Sequence, residues 1–260
     1  MGWRKHHQEP KKKHENKAHD AYINIDDVQN KMDLMTPALT FDDVYLSLNS
    51  HAGPVDILKG VSFVAKAGQA IGIIGPSGSG KTSLLMVASG LEAATRGHVV
   101  AAGLDLGGKS EAELAKFRRD NIGIIFQSFH LIPTMTALEN VSVPLEFKGV
   151  RDAAARAAAG LKRVGLGHRM EHYPSQLSGG EQQRVAIARA MTAGAKILLA
   201  DEPTGNLDQD TGSSIIDLLF ELKNNDQATL LLVTHDRALA KRCDRIIEVR
   251  DGKISESKSK

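Results

Sequence analysis

An apolar run that leads into a glycine-rich loop constrains the fold of this chain more than any other feature. The run Ala70–Ile74 is strand-like, and a helix-forming stretch begins at Lys81. Glycines let consecutive backbone N–H groups point into one concavity, where the N-terminus of a following helix favours an anion. The spacing predicts a nucleoside triphosphate site on an α/β sheet. The residues expected to hold the phosphates are Gly75, Pro76, Ser77, Gly78, Ser79, Gly80, Lys81, Thr82 and Ser83.

A second apolar run, far downstream, ends in the two acidic residues Asp201 and Glu202. A carboxylate at the end of a buried strand is costly unless it meets a cation. We therefore expect Asp201 to hold Mg²⁺ together with Thr82, while Lys81 reaches the β and γ phosphates. Glu202 follows one residue later and points elsewhere, so it is expected to act as the general base that polarises an attacking water.

A second glycine motif opens another helix. Ser178 with Glu181 at the third position after it is a capping-box pattern, which leaves the N–H groups of Gly179 and Gly180 at a positively polarised helix end. The motif predicts a second anion site, with Ser178, Gly179, Gly180 and Glu181 as binding residues. Taken alone, it would fit an ordinary capped helix better.

The composition excludes several classes of protein. The 33 Lys and Arg residues against 31 Asp and Glu residues leave a net charge of +2, too small for a uniform field that attracts nucleic acid. A single cysteine excludes an intramolecular disulfide and any multi-cysteine metal cage, which suits a reducing compartment. No apolar run approaches the ~18 residues that span a bilayer, so we expect a soluble cytosolic protein of one elaborated domain.

The N-terminal segment is basic and rich in histidine, and its first twenty residues are almost free of apolar side chains. Such a composition buries too little surface to offset the entropy of ordering, so residues 1–37 are expected to be a disordered tail. Two other interpretations stay open: translation starts near Met32 or Met35, or the segment is a weak tether to lipid head groups or a metal. A second, short tail is expected at residues 257–260.

Between the tails, strands and helices alternate. Residues 40–48 and 61–65 predict strands of a small sheet, whereas 196–200 and Thr229–Val233 are continuous apolar runs, as in a parallel sheet covered on both faces. Residues 137–191 are expected to be mostly helical. These features predict an α/β sheet core with a helical insertion.

Together these motifs resemble the ATP-binding subunits of ABC transporters, over residues 38 to about 256. The resemblance implies a P-loop NTPase fold: a RecA-like parallel sheet core with an N-terminal antiparallel β subdomain and a helical subdomain inserted at about 128–190. It also implies an ATPase that uses ATP and Mg²⁺. In this family two copies form a head-to-tail dimer, and the Ser178 motif of one copy faces the nucleotide of the other.

The same resemblance assigns roles to further residues. Gln127 matches the glutamine that is implied to ligate Mg²⁺ and to sense the permease, and Asp208 matches the residue that crosses the dimer interface. His235 matches the switch histidine that contacts the γ-phosphate. The residues expected to take part in catalysis are therefore Glu202, His235, Gln127 and Lys81.

One position departs from the family pattern. Family members stack adenine on an aromatic residue some thirty positions before the phosphate-loop lysine, where this chain has Leu48 or Asn49. Tyr45 is the nearest aromatic residue, so we expect base stacking to be weak or to be supplied by Tyr45.

The segment 126–141 and the sequence at 204–208 resemble the lipoprotein-release and macrolide-export group, that is, the LolD, MacB and YbbA-like members. Such a subunit is implied to power export, lipid or lipoprotein extraction, or mechanotransmission by a separate integral-membrane permease. The chain is then expected to be cytoplasmic and peripheral on the inner face of the cell membrane. A groove for the permease, or alternatively ordinary core packing, is expected at Phe129, Leu131, Ile132 and Pro133.

Two other functions stay open. A soluble ABC ATPase acting on ribosomes or DNA usually has two such domains, a coiled-coil insertion or zinc-binding cysteines, and none of these is visible in the sequence. Signalling through a permease in cell division, without transport, has the same sequence signature as transport. We expect a second copy of the chain and a permease as partners, and no nucleic acid.

Overall fold

The computed structural model describes residues 1–2, 37–50 and 53–257, which form two β-sheets with helices packed around them. The expected tails at 1–37 and 257–260, with the alternative starts at Met32 and Met35, lie almost wholly outside the described residues. None of the helices in the described part of the chain is both long enough and apolar enough to cross a membrane.

The strands alternate with the helices as the sequence predicts. The strands are β1 Pro37–Ser50, β2 Gly53–Lys66, β3 Ala70–Ile74, β4 Arg96–Ala101, β5 Leu104–Asp105, β6 Ile122–Phe126, β7 Ile197–Asp201, β8 Thr229–Val233, β9 Arg245–Arg250 and β10 Lys253–Ser257. The α-helices are α1 Lys81–Ala88, α2 Glu111–Asn121, α3 Ala137–Phe147, α4 Ala153–Arg163, α5 Gly179–Thr192, α6 Gln209–Asn225 and α7 Arg237–Ala240.

The smaller sheet is antiparallel, with the strand order β2-β1-β4-β5. Phe41 and Phe63 oppose each other across β1 and β2, and their rings stack with centroids 4.9 Å apart. The expected small sheet is confirmed, although its two long strands extend beyond residues 40–48 and 61–65 at both ends.

The larger sheet has the order β10-β9-β3-β8-β7-β6, and its neighbouring strands are parallel except for the β9–β10 hairpin. Only β8 separates β3, which leads into the phosphate loop, from β7, which ends in Asp201. Since the carboxyl ends of parallel strands share one edge of a sheet, this order brings the two motifs together.

Each face of the parallel sheet packs on a separate core, and this explains the continuous apolar strands. Ile197 and Leu199 of β7 pack with β1, β2 and α1 on one face, whereas Leu198 and Ala200 pack with α3, α4, α5 and α6 on the other. Because strand side chains alternate between faces, a strand covered on both sides must be apolar throughout.

Helices α3, α4 and α5 lie between β6 and β7 and account for the helical insertion. Capping boxes start helices α2, where Ser110 pairs with Glu113, and α3, where Thr136 pairs with Glu139. Asn140 of α3 is buried, and its side chain bonds the main chain of residue 132 through both N–H and C=O. These bonds fix the loop between β6 and α3 against the helical layer.

Candidate functional site

The phosphate loop between β3 and α1 owes its curve to three glycines. Gly75, Gly78 and Gly80 have φ angles of 150°, 74° and 105°, a region that favours glycine. A Cβ on Gly80 would lie 2.9 Å from the carbonyl oxygen of Ile57, and one on Gly75 would collide with the carbonyl oxygen of Val249. The loop is therefore packed tightly between β2 and β9.

Two polar side chains of this loop fit a bound phosphate. Lys81 is buried, and its Nζ donates to the carbonyl oxygens of Gly75 and Pro76 at 3.0 and 2.8 Å. The hydroxyl of Ser79 is also buried and has no hydrogen-bond partner among the described residues. A buried ammonium and an unpaired hydroxyl are costly in isolation. Phosphate oxygens would satisfy both, so these residues fit the triphosphate that the sequence predicts.

Asp201 at the end of β7 contacts the phosphate loop directly. The Thr82 hydroxyl donates to Asp201 Oδ2 at 2.9 Å. Burial raises the pKa of the Asp201 carboxyl, and the Glu202 carboxylate adds to this, whereas the Thr82 hydrogen bond and the Lys81 charge oppose it. Among the described residues no group of three His, Cys, Asp or Glu side chains could hold a metal. A hydroxyl and one carboxylate nevertheless fit Mg²⁺, which takes its other ligands from water and substrate phosphates.

The backbone conformation of Glu202 turns its side chain in a different direction from that of Asp201. Its φ is 46°, and its N–H donates to the carbonyl oxygen of Val233 at 3.0 Å. Such a conformation is uncommon outside glycine and concentrates at functional sites. Glu202 Oε2 lies 3.3 Å from Nδ1 of His235, which follows β8. The residues expected to be the general base and the switch histidine therefore meet at the carboxyl edge of the sheet.

Gln127 is held by a residue that the sequence did not single out. Gln127 Nε2 donates to Asn206 Oδ1 at 3.1 Å, and Asn206 Nδ2 donates to the main-chain oxygen of Gln127, also at 3.1 Å. A Cβ on Gly205 would lie 2.6 Å from Gln127 Nε2, so glycine permits this approach. The only sequence feature that could have indicated this role of Asn206 is its position two residues before Asp208. The role of Gln127 as a metal ligand stays a prediction.

The Ser178 motif forms the expected capping box at α5. Ser178 Oγ accepts from the N–H of Glu181 at 3.2 Å, and the N–H of Ser178 donates to Glu181 Oε2 at 2.8 Å. The bond from the Ser178 backbone is the main reason that the pKa of Glu181 is lowered. Arg169 Nε donates to the other carboxylate oxygen at 3.0 Å. Glu181 thus fixes the helix end with both oxygens.

Within one copy, the Ser178 motif and the phosphate loop have different neighbours. A Cβ on Gly179 would lie 3.1 Å from Leu207, and one on Gly180 would lie 2.6 Å from Thr211. Asp208 caps α6 by accepting from the N–H of Thr211 at 3.0 Å, which lowers the pKa of its carboxyl. The motif therefore packs against the start of α6, whereas the phosphate loop packs on β2 and β9.

The segment after β6, where the permease groove is expected, is anchored by α5. Arg189 donates to the carbonyl oxygens of Phe129 and His130 at 2.9 and 2.5 Å, and both of those residues have positive φ angles. Leu131 packs against the core, whereas Ile132 is exposed. The segment thus combines core packing with an exposed apolar surface.

Tyr45, the aromatic residue nearest the expected adenine position, already has a partner on its ring. The guanidinium carbon of Arg96 lies 3.7 Å from the ring centroid, and a Cβ on Gly60 would lie 3.0 Å from the Tyr45 hydroxyl. Leu48, one of the two residues at the family position, is exposed. Tyr45 therefore has at most one ring face available to a ligand.

Comparisons with known proteins agree with this geometry. A family model described as ABC transporter matches residues 58–205, which contain the phosphate loop, the Ser178 motif, Asp201 and Glu202. The uncharacterised ABC transporter ATP-binding protein YbbA of Escherichia coli strain K12 is 48% identical over 204 residues, or 78% of this chain and 90% of YbbA. The macrolide export ATP-binding/permease protein MacB of the same strain is 42% identical over 222 residues, or 85% of this chain and 34% of MacB.

A solved structure also has this architecture. The dimeric, post-hydrolysis state of the ATP-binding cassette MJ0796, bound to ADP and Pi, superposes with a TM-score of 0.79 at 40% identity, covering 85% of this chain and 99% of that one. The similarity confirms the P-loop NTPase fold, with its parallel sheet and its additional antiparallel sheet.

Proposed function

This chain belongs to the ABC transporter family, and we propose that it is the ATP-binding, ATP-hydrolysing subunit of a transporter whose membrane permease is a separate chain. The relatives YbbA and MacB are named as transporter ATP-binding proteins. They favour this function over a soluble ATPase that acts on ribosomes or DNA.

The hydrogen bond between Thr82 and Asp201 is the observation that carries the proposal. It joins the phosphate loop to the end of β7 at 2.9 Å, across 119 residues of sequence. The bond brings a hydroxyl and a carboxylate to one point beside the buried Lys81. This is the oxygen pair that a divalent cation on a triphosphate requires.

Each residue of the loop then has a defined task. The Lys81 ammonium exchanges its carbonyl partners for β- and γ-phosphate oxygens, and the unpaired Ser79 hydroxyl donates to the phosphate chain. Thr82 and Asp201 hold the cation. When bound, Mg²⁺ supplies positive charge that neutralises the phosphates.

Glu202 and His235 form the hydrolytic part of the site. The carboxylate of Glu202 accepts a proton from the attacking water, and its left-handed backbone keeps it from duplicating the Asp201 contact. His235, which lies 3.3 Å from Glu202, orients that carboxylate and contacts the γ-phosphate. Gln127, held by Asn206, connects this site to the exposed segment that starts at Phe129.

Two copies are needed to complete the site. In one copy, Cβ atoms on Gly179 and Gly180 would meet side chains of Leu207, Phe129 and Thr211, none of which belongs to the phosphate loop. We propose that a second copy, in head-to-tail arrangement, places its Ser178 and Gly180 on the γ-phosphate and its Asp208 at the interface. The related cassette MJ0796 is described as dimeric in its ADP- and Pi-bound state, which supports this arrangement. Charge-assisted bonds from the second copy would then couple ATP binding to dimer closure.

The proposed permease partner explains the exposed apolar segment on the helical side. Ile132 is exposed beside Phe129 and His130, whose carbonyl oxygens are fixed by Arg189. A short permease helix bound to this surface would respond to movements of Gln127. MacB is named as both an ATP-binding and a permease protein, and this chain spans about a third of it. We infer that this chain works at the inner face of the membrane by binding such a permease.

The direct test is ATP hydrolysis by purified protein with and without a change at Glu202. We expect Glu202→Gln to bind ATP as the unchanged chain does, but to hydrolyse it about 100-fold more slowly or worse, because general-base catalysis contributes at least this much. Glu221→Gln, an exposed change on α6, is the matched control and should retain the rate. Full hydrolysis by Glu202→Gln would overturn the assignment of the base, and failure of the unchanged chain to bind ATP would overturn the function.

A further inference from the structure

A small pocket of about 170 Å³ opens beside the phosphate loop, between β9 and the turn that follows β8. Its lining includes Gly75, Pro76 and His235 of the proposed nucleotide site, together with Arg237 and Arg250. None of the roles proposed above uses the two arginines. Both of these side chains are 73% exposed, so they are reachable from solvent.

The charges of this pocket are unbalanced. Among the described residues that line it, Glu248 provides the only carboxylate, and the Oε1 atom of Glu248 accepts from Arg250 Nε at 2.8 Å. The nearest nitrogen of Arg237 lies 4.0 Å from the same oxygen, beyond hydrogen-bond distance. Two guanidinium groups thus share one carboxylate oxygen and leave a net positive charge. Most of their N–H donors are available to another anion.

The position of the pocket relates it to the γ-phosphate. The carbonyl oxygens of two of its lining residues, Gly75 and Pro76, accept from the Lys81 ammonium. His235, which also lines it, contacts the proposed general base Glu202. Gly75, Pro76 and His235 thus belong both to the lining of this pocket and to the proposed nucleotide site, so the pocket adjoins that site.

We propose that this pocket is a docking site for inorganic phosphate as it leaves the nucleotide site. The inference rests on the proposed function. In hydrolysis the water oxygen bonds to the γ-phosphorus, the bond to the β–γ bridging oxygen breaks, ADP keeps that oxygen, and the proton passes to Glu202. The freed phosphate is negatively charged, and planar guanidinium groups can bind its oxygens through pairs of N–H donors. Because the arginines are exposed, we expect affinity in the millimolar range.

The test is a titration of the ADP-saturated chain with inorganic phosphate, in which the ³¹P NMR line width of the phosphate is measured at each concentration. ADP leaves the γ position open, so phosphate binding to the unchanged chain reports on that position and on the pocket together, and the arginine variants identify the part that belongs to the pocket. We expect saturable binding that weakens about fivefold in Arg237→Gln and further in the variant that combines it with Arg250→Gln, as for loss of exposed charge-assisted bonds.

Arg242→Gln is the matched control, because Arg242 also pairs with one carboxylate, Asp217, at 2.8 Å but lies away from this pocket. It should bind phosphate like the unchanged chain. Far-ultraviolet circular dichroism verifies that each variant is folded. Absence of saturable phosphate binding in the unchanged chain, or equal affinity in the double variant, overturns the inference. Those results leave the proposed function intact as long as the chain hydrolyses ATP, whereas loss of hydrolysis in the unchanged chain is the separate failure of that function.

Discussion

Asp201 is predicted to destabilise the protein in the absence of nucleotide. Burial raises the pKa of its carboxyl, and the adjacent Glu202 carboxylate adds to the effect. The uncharged, isosteric change Asp201→Asn removes this half-buried charge and keeps a carbonyl oxygen that accepts from the Thr82 hydroxyl. We therefore expect Asp201→Asn to increase the free energy of unfolding by about 1 kcal/mol at pH 8, a typical gain when a functional charge is relieved.

The sign of the pH dependence follows from the raised pKa. The folded state binds a proton at Asp201 more readily than the unfolded chain does, so the stability of the unchanged protein falls as pH rises through the folded pKa. The side-chain amide that Asp201→Asn introduces does not titrate. The advantage of the variant should thus be largest above the raised pKa and disappear below the unfolded value, about 3.9.

Urea unfolding at several pH values measures both effects. Asp217→Asn is the control, because Asp217 is exposed in its ion pair with Arg242 and a surface change of this kind shifts stability by less than about 0.5 kcal/mol. The same Asp201→Asn protein should lose Mg²⁺-dependent ATP hydrolysis. A destabilised Asp201→Asn protein, or an advantage that grows toward acid pH, would show that the Asp201 charge does not destabilise the folded state.

Three further predictions concern the caps and loops. Ser178→Ala removes the cap of α5 and should cost about 1 kcal/mol in urea unfolding, and an unchanged midpoint would contradict it. Asn206→Ala breaks both hydrogen bonds to Gln127, so amide hydrogen exchange at residues 127–130 should accelerate up to about tenfold. Asn206→Asp should have an intermediate exchange rate. Equal exchange in all three proteins would show that these two bonds do not hold the segment. Tyr45→Leu should change the ATP dissociation constant less than about twofold if base stacking is weak, whereas a tenfold loss would show that adenine stacks on the ring face that Arg96 leaves open.

Local patterns were sufficient to predict most of the fold and the main motifs. The apolar runs at β3, β7 and β8 and the glycines of the phosphate loop signal their structure within a few residues. The contact between Thr82 and Asp201 was predictable because both were expected to ligate the same Mg²⁺ ion, although 119 residues separate them. The capping box of Ser178 and Glu181 was equally readable, because it spans a single turn.

Other features had no local signal. β10 was not expected after the turn at Asp251 and Gly252, because Lys253–Ser257 is polar and becomes a strand only by pairing with β9. The bond between Gln127 and Asn206 depends on two loops that meet only after the sheet has formed. The left-handed backbone of Glu202 is likewise imposed by its hydrogen bond to β8 and not by its own preference.

We propose that each of two ATP molecules is held between two copies of this chain, and light scattering of Glu202→Gln in MgATP is the sharpest check of this arrangement. Slow hydrolysis should trap the closed state, so we expect a nucleotide-dependent dimer of 28.0 kDa subunits, which disappears when Ser178→Ala is added or ATP is omitted. A monomer at saturating MgATP would contradict it.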